Sequence, residues 1–110
     1  MERVRITGLP DDPLDAAAAF HADWTSRLRA AEADLLLAFP AADHTHRGWR
    51  LAALQMLARA IIPRRINAVS GGSDTAIGAA ADYLARAPGL TGQLISLDDE
   101  GAGAVLPPPS

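Results

Sequence analysis

The 110-residue sequence predicts an α/β domain: a four-stranded parallel sheet with about three helices, in the order βαβαβαβ. Three observations predict it. Short apolar or β-branched runs alternate with longer stretches of helical periodicity. The helical stretches carry their own start and stop signals, Asp12-Pro13, Pro63 and Pro88-Gly89. Leu35–Phe39 (LLLAF) is apolar without interruption, as in a strand covered on both faces.

Taken in order, Val4–Leu9 (VRITGL) reads as the first strand, ended by Gly8 and Pro10. Asp12 is placed to cap a helix whose first position is Pro13. Leu14, Ala17, Trp24, Leu28 and Ala31 recur at helical spacing and carry that helix to about Ala33. LLLAF is the second strand, ended by Pro40. A helix then starts near Thr45–Arg47 and runs to about Ile62, where Pro63 stops it. Trp49, Ala53, Met56 and Ala60 form one of its faces, and Leu54, Leu57, Ala58 and Ile61 spread over another. A helix apolar on most sides is covered on most sides, by the sheet and by a second helix of this chain or of a partner. Ile66–Val69 is the third strand, and Asp74–Ala87 the third helix, capped by Ser73 or Asp74. Gly92–Leu97 is the fourth strand. Residues 1–99 form one domain, and 100–110 (EGAGAVLPPPS) read as a flexible tail. If the strands lie in sequence order with right-handed crossovers, the helices gather on one face. The bare face then calls for association or an unusual crossover.

Composition narrows the function. The net charge of −3 argues against a nucleic-acid partner, and the five aromatics, Phe20, Trp24, Phe39, Trp49 and Tyr83, make no stacking platform. Absence of cysteine removes disulfides, thiolate metal sites and Cys nucleophiles, and fits a cytoplasmic location. The charged start MERVRITGLPDD is not a signal peptide, and no apolar run reaches the length of a membrane span, so no membrane partner is expected.

Several clusters invite a site. In SGGSDT, free N–H groups at the Asp74 helix start could face a phosphate. The glycine spacing is neither dinucleotide fingerprint nor P-loop, and Asp74 would repel the anion, so a strand-to-helix turn with a cap is the better reading. Asp43-His44-Thr45-His46 groups three potential metal ligands. A His pair at i, i+2 lacks the one-face geometry of a helical i, i+4 pair, and His21 lies on another helix, so helix-start capping by Asp43 or Thr45 is expected and no metal. The pairs Arg64-Arg65 and Arg47/Arg50 either hold an anionic group or satisfy helix C-terminal carbonyls. Asp98-Asp99-Glu100 reads as a solvated turn.

The second half also resembles a known family. Arg65–Gly72 (RINAVSGG), followed by Thr75, is similar to the "RVNAVAPG…T" segment of short-chain dehydrogenases/reductases. Leu51–Leu57 (LAALQML) resembles their "KAALxxL" helix, and Tyr83–Asp98 (YLARAPGLTGQLISLD) their final "YLxS…xxTGQxLxVDGG" segment. The resemblance covers about residues 47–99 and implies a truncated Rossmann-like fold, the C-terminal half without its first three strands. The catalytic machinery does not carry over. Arg47 stands at the Tyr position and Leu51 at the Lys position of Y-x-x-x-K, so neither the phenol donor nor its ammonium neighbour is present. Pro40-Ala41-Ala42 offers no catalytic Ser after the second strand, and Gly8-Leu9-Pro10 is no glycine-rich cofactor loop.

In that family the Y-x-x-x-K helix and the one before it pack against their counterparts in a second subunit. The resemblance therefore implies a non-catalytic oligomerisation protein, self-associating or paired with an active dehydrogenase subunit. Its expected interface is Trp24, Trp49, Ala53, Met56, Leu57 and Ala60. Two other readings stay open. One is a subunit contributing Gly71, Gly72 and Thr75 to a composite NAD(P) site; otherwise no cofactor is expected. The other is a small-ligand module at the strand C-terminal edge, lined by Pro40–His46 and Ser70–Asp74.

Overall fold

The computed structural model describes residues 1–97. The expected tail at 100–110 and the acidic Asp98, Asp99 and Glu100 lie outside the described residues. Four parallel strands form one sheet in sequence order: β1 (Glu2–Arg5), β2 (Leu35–Phe39), β3 (Ile66–Ser70) and β4 (Leu94–Ser96). Helices α1 (Pro13–Asp23) and α2 (Thr25–Ala30) connect β1 to β2, α3 (Arg47–Ala60) connects β2 to β3, and α4 (Asp74–Ala85) connects β3 to β4. The fold is α/β and Rossmann-like, as the sequence predicts.

The two edge strands are shorter than expected, β4 covering Leu94–Ser96 rather than Gly92–Leu97, while β3 extends one residue further, to Ser70. β1 covers Glu2–Arg5, not Val4–Leu9, because only that stretch lies in register with β2, from Glu2 opposite Leu35 to Arg5 opposite Ala38. The Ile6 N–H adds one more bond, to the Ala38 carbonyl at 2.9 Å, before the chain turns away at Gly8. As an edge strand, β1 exposes Glu2, Arg3 and Arg5, charges that discourage further pairing.

The first helix is two helices. The chain departs from helical geometry at Trp24 (φ −116°), and α2 ends at Ala30 rather than near Ala33. The buried stripe is Ala16, Phe20, Trp24 and Leu28, at a strict four-residue spacing, while Leu14 is 83% exposed. Phe20 is therefore the core residue of α1, and Leu14 is not.

Side-chain alternation along the strands divides the core in two. On one face Leu35, Leu37 and Phe39 of β2, with Ile66 and Ala68 of β3, pack under α1, α2 and α3. On the other, Leu36, Ala38 and Val69 pack under Ala76, Ile77, Ala80, Ala81 and Leu84 of α4. The strands advance across the sheet in one direction throughout. Placing α4 on the opposite face therefore makes the β3–β4 crossover opposite in hand to the first two. This unusual crossover covers the face that sequence order would have left bare, and it does so with the chain's own residues. Likewise, the second cover of α3 is α1 and α2.

Both basic residues before β3 tie helix ends to the sheet. An Arg64 Nη2 donates to the Arg29 carbonyl at the end of α2, at 3.1 Å. Arg65 Nη1 donates to the Leu84 carbonyl in the last turn of α4 and to the Ala87 carbonyl just beyond it, at 3.1 and 2.9 Å. Arg65 also grips Asp34, through its backbone N–H (2.8 Å) and its Nε (3.2 Å). These bonds, led by the backbone N–H, hold the Asp34 carboxyl below its ordinary value of 3.8. A folded-state pKa below the unfolded one contributes stability above the unfolded value, lost as pH falls through the folded one. Asp34→Asn is therefore expected to lower the urea midpoint at pH 7. The difference from the native chain should shrink towards zero at a pH below both values. The half-exposed pair limits the effect at neutral pH to about 1 kcal/mol.

Candidate functional site

The strands' C-terminal ends gather the loops that open parallel sheets use for ligands: the segment after β2, the turn after β3 and the start of α3. After Phe39 the chain runs through Pro40 to Asp43, which caps a 3-10 turn at His44–His46 leading into α3. The Asp43 carboxylate accepts from the Thr45 hydroxyl and, at 3.0 Å, from the Thr45 N–H. These two bonds, the hydroxyl's first, lower its pKa.

His46 has no ring nitrogen left for a metal. Its Nε2 lies 2.8 Å from the Asp11 carbonyl, so it donates there, and its Nδ1 accepts from Trp49 Nε1 at 3.0 Å. Both bonds together fix the neutral tautomer protonated at Nε2. Among the described residues no group of three His, Cys, Asp or Glu side chains could hold an ion. The held indole joins an aromatic group, with ring centroids 5.6 Å from Phe20 and 5.8 Å from Phe39.

Arg50 lies against this group and is 4% exposed. Its Nη1 donates to the Pro40 carbonyl (3.0 Å) and to Ser70 Oγ (2.9 Å), and its guanidinium carbon sits 4.6 Å over the Phe39 ring. Its Nε is buried without a partner. Among the described residues the ion pairs are Arg5–Asp74 and Arg65–Asp34, so no described carboxylate pairs with Arg50. Burial lowers its pKa, though an arginine remains charged at neutral pH. Two cavities adjoin it, one of about 170 Å³ and one of about 80 Å³. Pairing Arg50 with Arg47 as a basic couple hid this difference: Arg47 is exposed and Arg50 is not. A signal was available, since no Asp or Glu stands three or four residues from Arg50 to pair with it along the helix.

The reacting positions hold no acid–base pair. Arg47 is exposed and Leu51 half-buried. All ten basic residues are arginine, so no lysine of this chain can serve, and the single tyrosine, Tyr83, lies on α4.

The turn after β3 is filled from inside the chain. Gly71 and Gly72 have φ of +74° and +93°. A Cβ on Gly71 would stand 2.9 Å from the Leu97 carbonyl oxygen, and one on Gly72 would stand 2.8 Å from the Leu97 Cβ. Ser73, not Asp74, caps α4, accepting from the Ala76 N–H at 3.1 Å. Thr75 is exposed one residue further on. A separate cavity of about 230 Å³ lies between this turn and β1, lined by Arg5, Thr7, Ala41 and the two glycines among others.

Of the six residues expected at an interface, Trp24, Ala53 and Leu57 belong to the chain's own core, with Trp49 packed against it. Met56, 55% exposed, and Ala60 face outward.

A family model described as "SDR-like: Short chain dehydrogenase-like protein" matches residues 4–97. The chain belongs to this family. The match includes the first half, where the sequence carries no diagnostic motif. Neither the curated proteins nor the solved structures include a match to the chain. Among the described residues no helix of this SDR-like chain is long and apolar enough to cross a membrane.

The turn geometry makes a direct prediction. Gly72→Ala combines a left-handed backbone with a clash against Leu97, and is expected to destabilise the fold by about 1–3 kcal/mol. A lowered midpoint in chemical denaturation, at unchanged slope, measures it.

Proposed function

We propose that this SDR-like chain is a non-catalytic association unit. It pairs through the outer sides of α1 and α3 with a second copy, or with an active dehydrogenase subunit of the same family. The observation that carries this reading is the chemistry of those outer sides. A helix on the surface of a lone domain normally turns charged and polar residues to water. Here one exposed row at four-residue spacing is small or apolar on each helix, Leu14, Ala18 and Ala22 on α1 and Gly48, Ala52, Met56 and Ala60 on α3, beside the exposed Asp15 and Asp23 of α1 and Arg47, Gln55 and Arg59 of α3. Small side chains in such rows let a neighbouring helix approach closely. A groove of about 220 Å³ runs between the helices, lined by His21, Thr25 and Arg29 on one side and Ala53, Met56 and Ala60 on the other.

Arg47 and Leu51 at the reacting positions support a role without hydride transfer. A composite NAD(P) site has less support, because Leu97 packs into the glycine turn that would border the cofactor.

Light scattering coupled to size exclusion, at high micromolar concentration, tests the reading. The native chain is expected to run as a dimer, or to co-elute with a dehydrogenase subunit when mixed. Met56→Glu, which changes an exposed residue, should dissociate it while leaving the circular dichroism unchanged. A strict monomer with no co-elution overturns the association role.

A further inference from the structure

We propose that the cavity beside Arg50 is a binding site for a small organic monocarboxylate, whose carboxylate supplies the counter-ion that none of the described residues gives Arg50. The inference goes beyond association and does not depend on it.

A buried guanidinium without an anion is unfavourable, and chains usually pair such a group or leave it in water. Arg50 is 96% buried by its 4% exposure, with Nη1 engaged only by neutral oxygens and Nε without a partner. It is held rigidly, by the Pro40 carbonyl and Ser70 hydroxyl on one side and the Phe39 ring on another. That is the preorganisation a binding site needs, since little side-chain freedom remains to be lost.

The cavity decides the class of ligand. Its volume of about 170 Å³ has room for roughly five waters, which admits a molecule of a few heavy atoms. Arg47, Arg50, Ser70, Ser96, His44 and Asp43 supply its polar lining. Among the described lining residues, two guanidinium charges against the Asp43 carboxylate leave one net positive charge, matching a monoanion. A phosphate dianion would exceed that charge and would face Asp43, which its bonds to Thr45 keep ionised. With both Nη1 hydrogens engaged and Nε buried, a carboxylate oxygen would accept a charge-assisted bond from the remaining Nη2 of Arg50. Leu94 on the same wall offers an apolar contact for a short carbon chain.

Thermal unfolding and amide NMR of the full chain test the proposal, using acetate, propanoate and pyruvate, with inorganic phosphate and chloride at matched ionic strength. Carboxylates are expected to raise the melting temperature with the logarithm of concentration across the millimolar range. They should also shift the Ser70 and Ser96 amide resonances. Arg50→Gln should weaken the response at least about tenfold. Should that variant fail to fold, Ser96→Leu keeps Arg50 and fills the cavity from the exposed rim, and it too should abolish the response. Met56→Glu should bind as the native chain does, which separates this site from the association surface. Equal stabilisation by phosphate or chloride overturns the proposal. So does a response that survives Arg50→Gln or Ser96→Leu, or no response in the native chain.

Discussion

A parallel sheet has to be covered on both faces, and β2 is where that requirement is strictest. All five of its residues are buried, alternating between the two cores. The strands follow sequence order, so three crossovers of one hand would have put every helix on the Leu35–Leu37–Phe39 side. Leu36, Ala38 and Val69 would then have met water. Moving α4 to the other side removes that exposure, and the reversed hand of the last crossover follows from it. Arg65 helps to hold the arrangement, joining the end of α4 to the start of β3 and to Asp34 beside β2.

The same geometry sets what each end of the sheet can do. At the strand C-terminal edge, α3 starts close to the loop after β2, which brings His46, Trp49 and Arg50 against Phe39 and Phe20. The imidazole is held between Asp11 and Trp49, and the guanidinium between Pro40 and Ser70 with its Nε unpartnered. On the far side of α1 and α3, a row of small and apolar exposed residues (Ala18, Ala22, Ala52, Met56, Ala60) runs beside exposed charged ones, Asp15 and Asp23 on α1 and Arg47 and Arg59 on α3.

Much of this was legible from local patterns. LLLAF is the second strand at both of its ends, because an uninterrupted apolar run closed by proline leaves little choice. The caps at Asp12, Asp43 and Ser73 were among the residues expected there, since an oxygen-bearing side chain ahead of a helical period satisfies a free N–H. Other details escaped. Leu14 and Phe20 are both apolar at positions compatible with a helix, and which one turns inward depends on where the sheet lies. The interface residues Trp24, Ala53 and Leu57 were apolar for the reason interface residues are, yet their partners are in the same chain.

The sequence by itself determined the order and type of the elements, their caps and the loss of the Tyr and Lys positions at Arg47 and Leu51. Those features depend on residue type and on spacing of a few positions, which a linear string records. Only the tertiary structure decided the face taken by α4, the filling of the Gly71–Gly72 turn by Leu97 and the burial of Arg50. Each of these is a contact between segments distant along the chain. Packing chooses among arrangements that local propensity leaves equal.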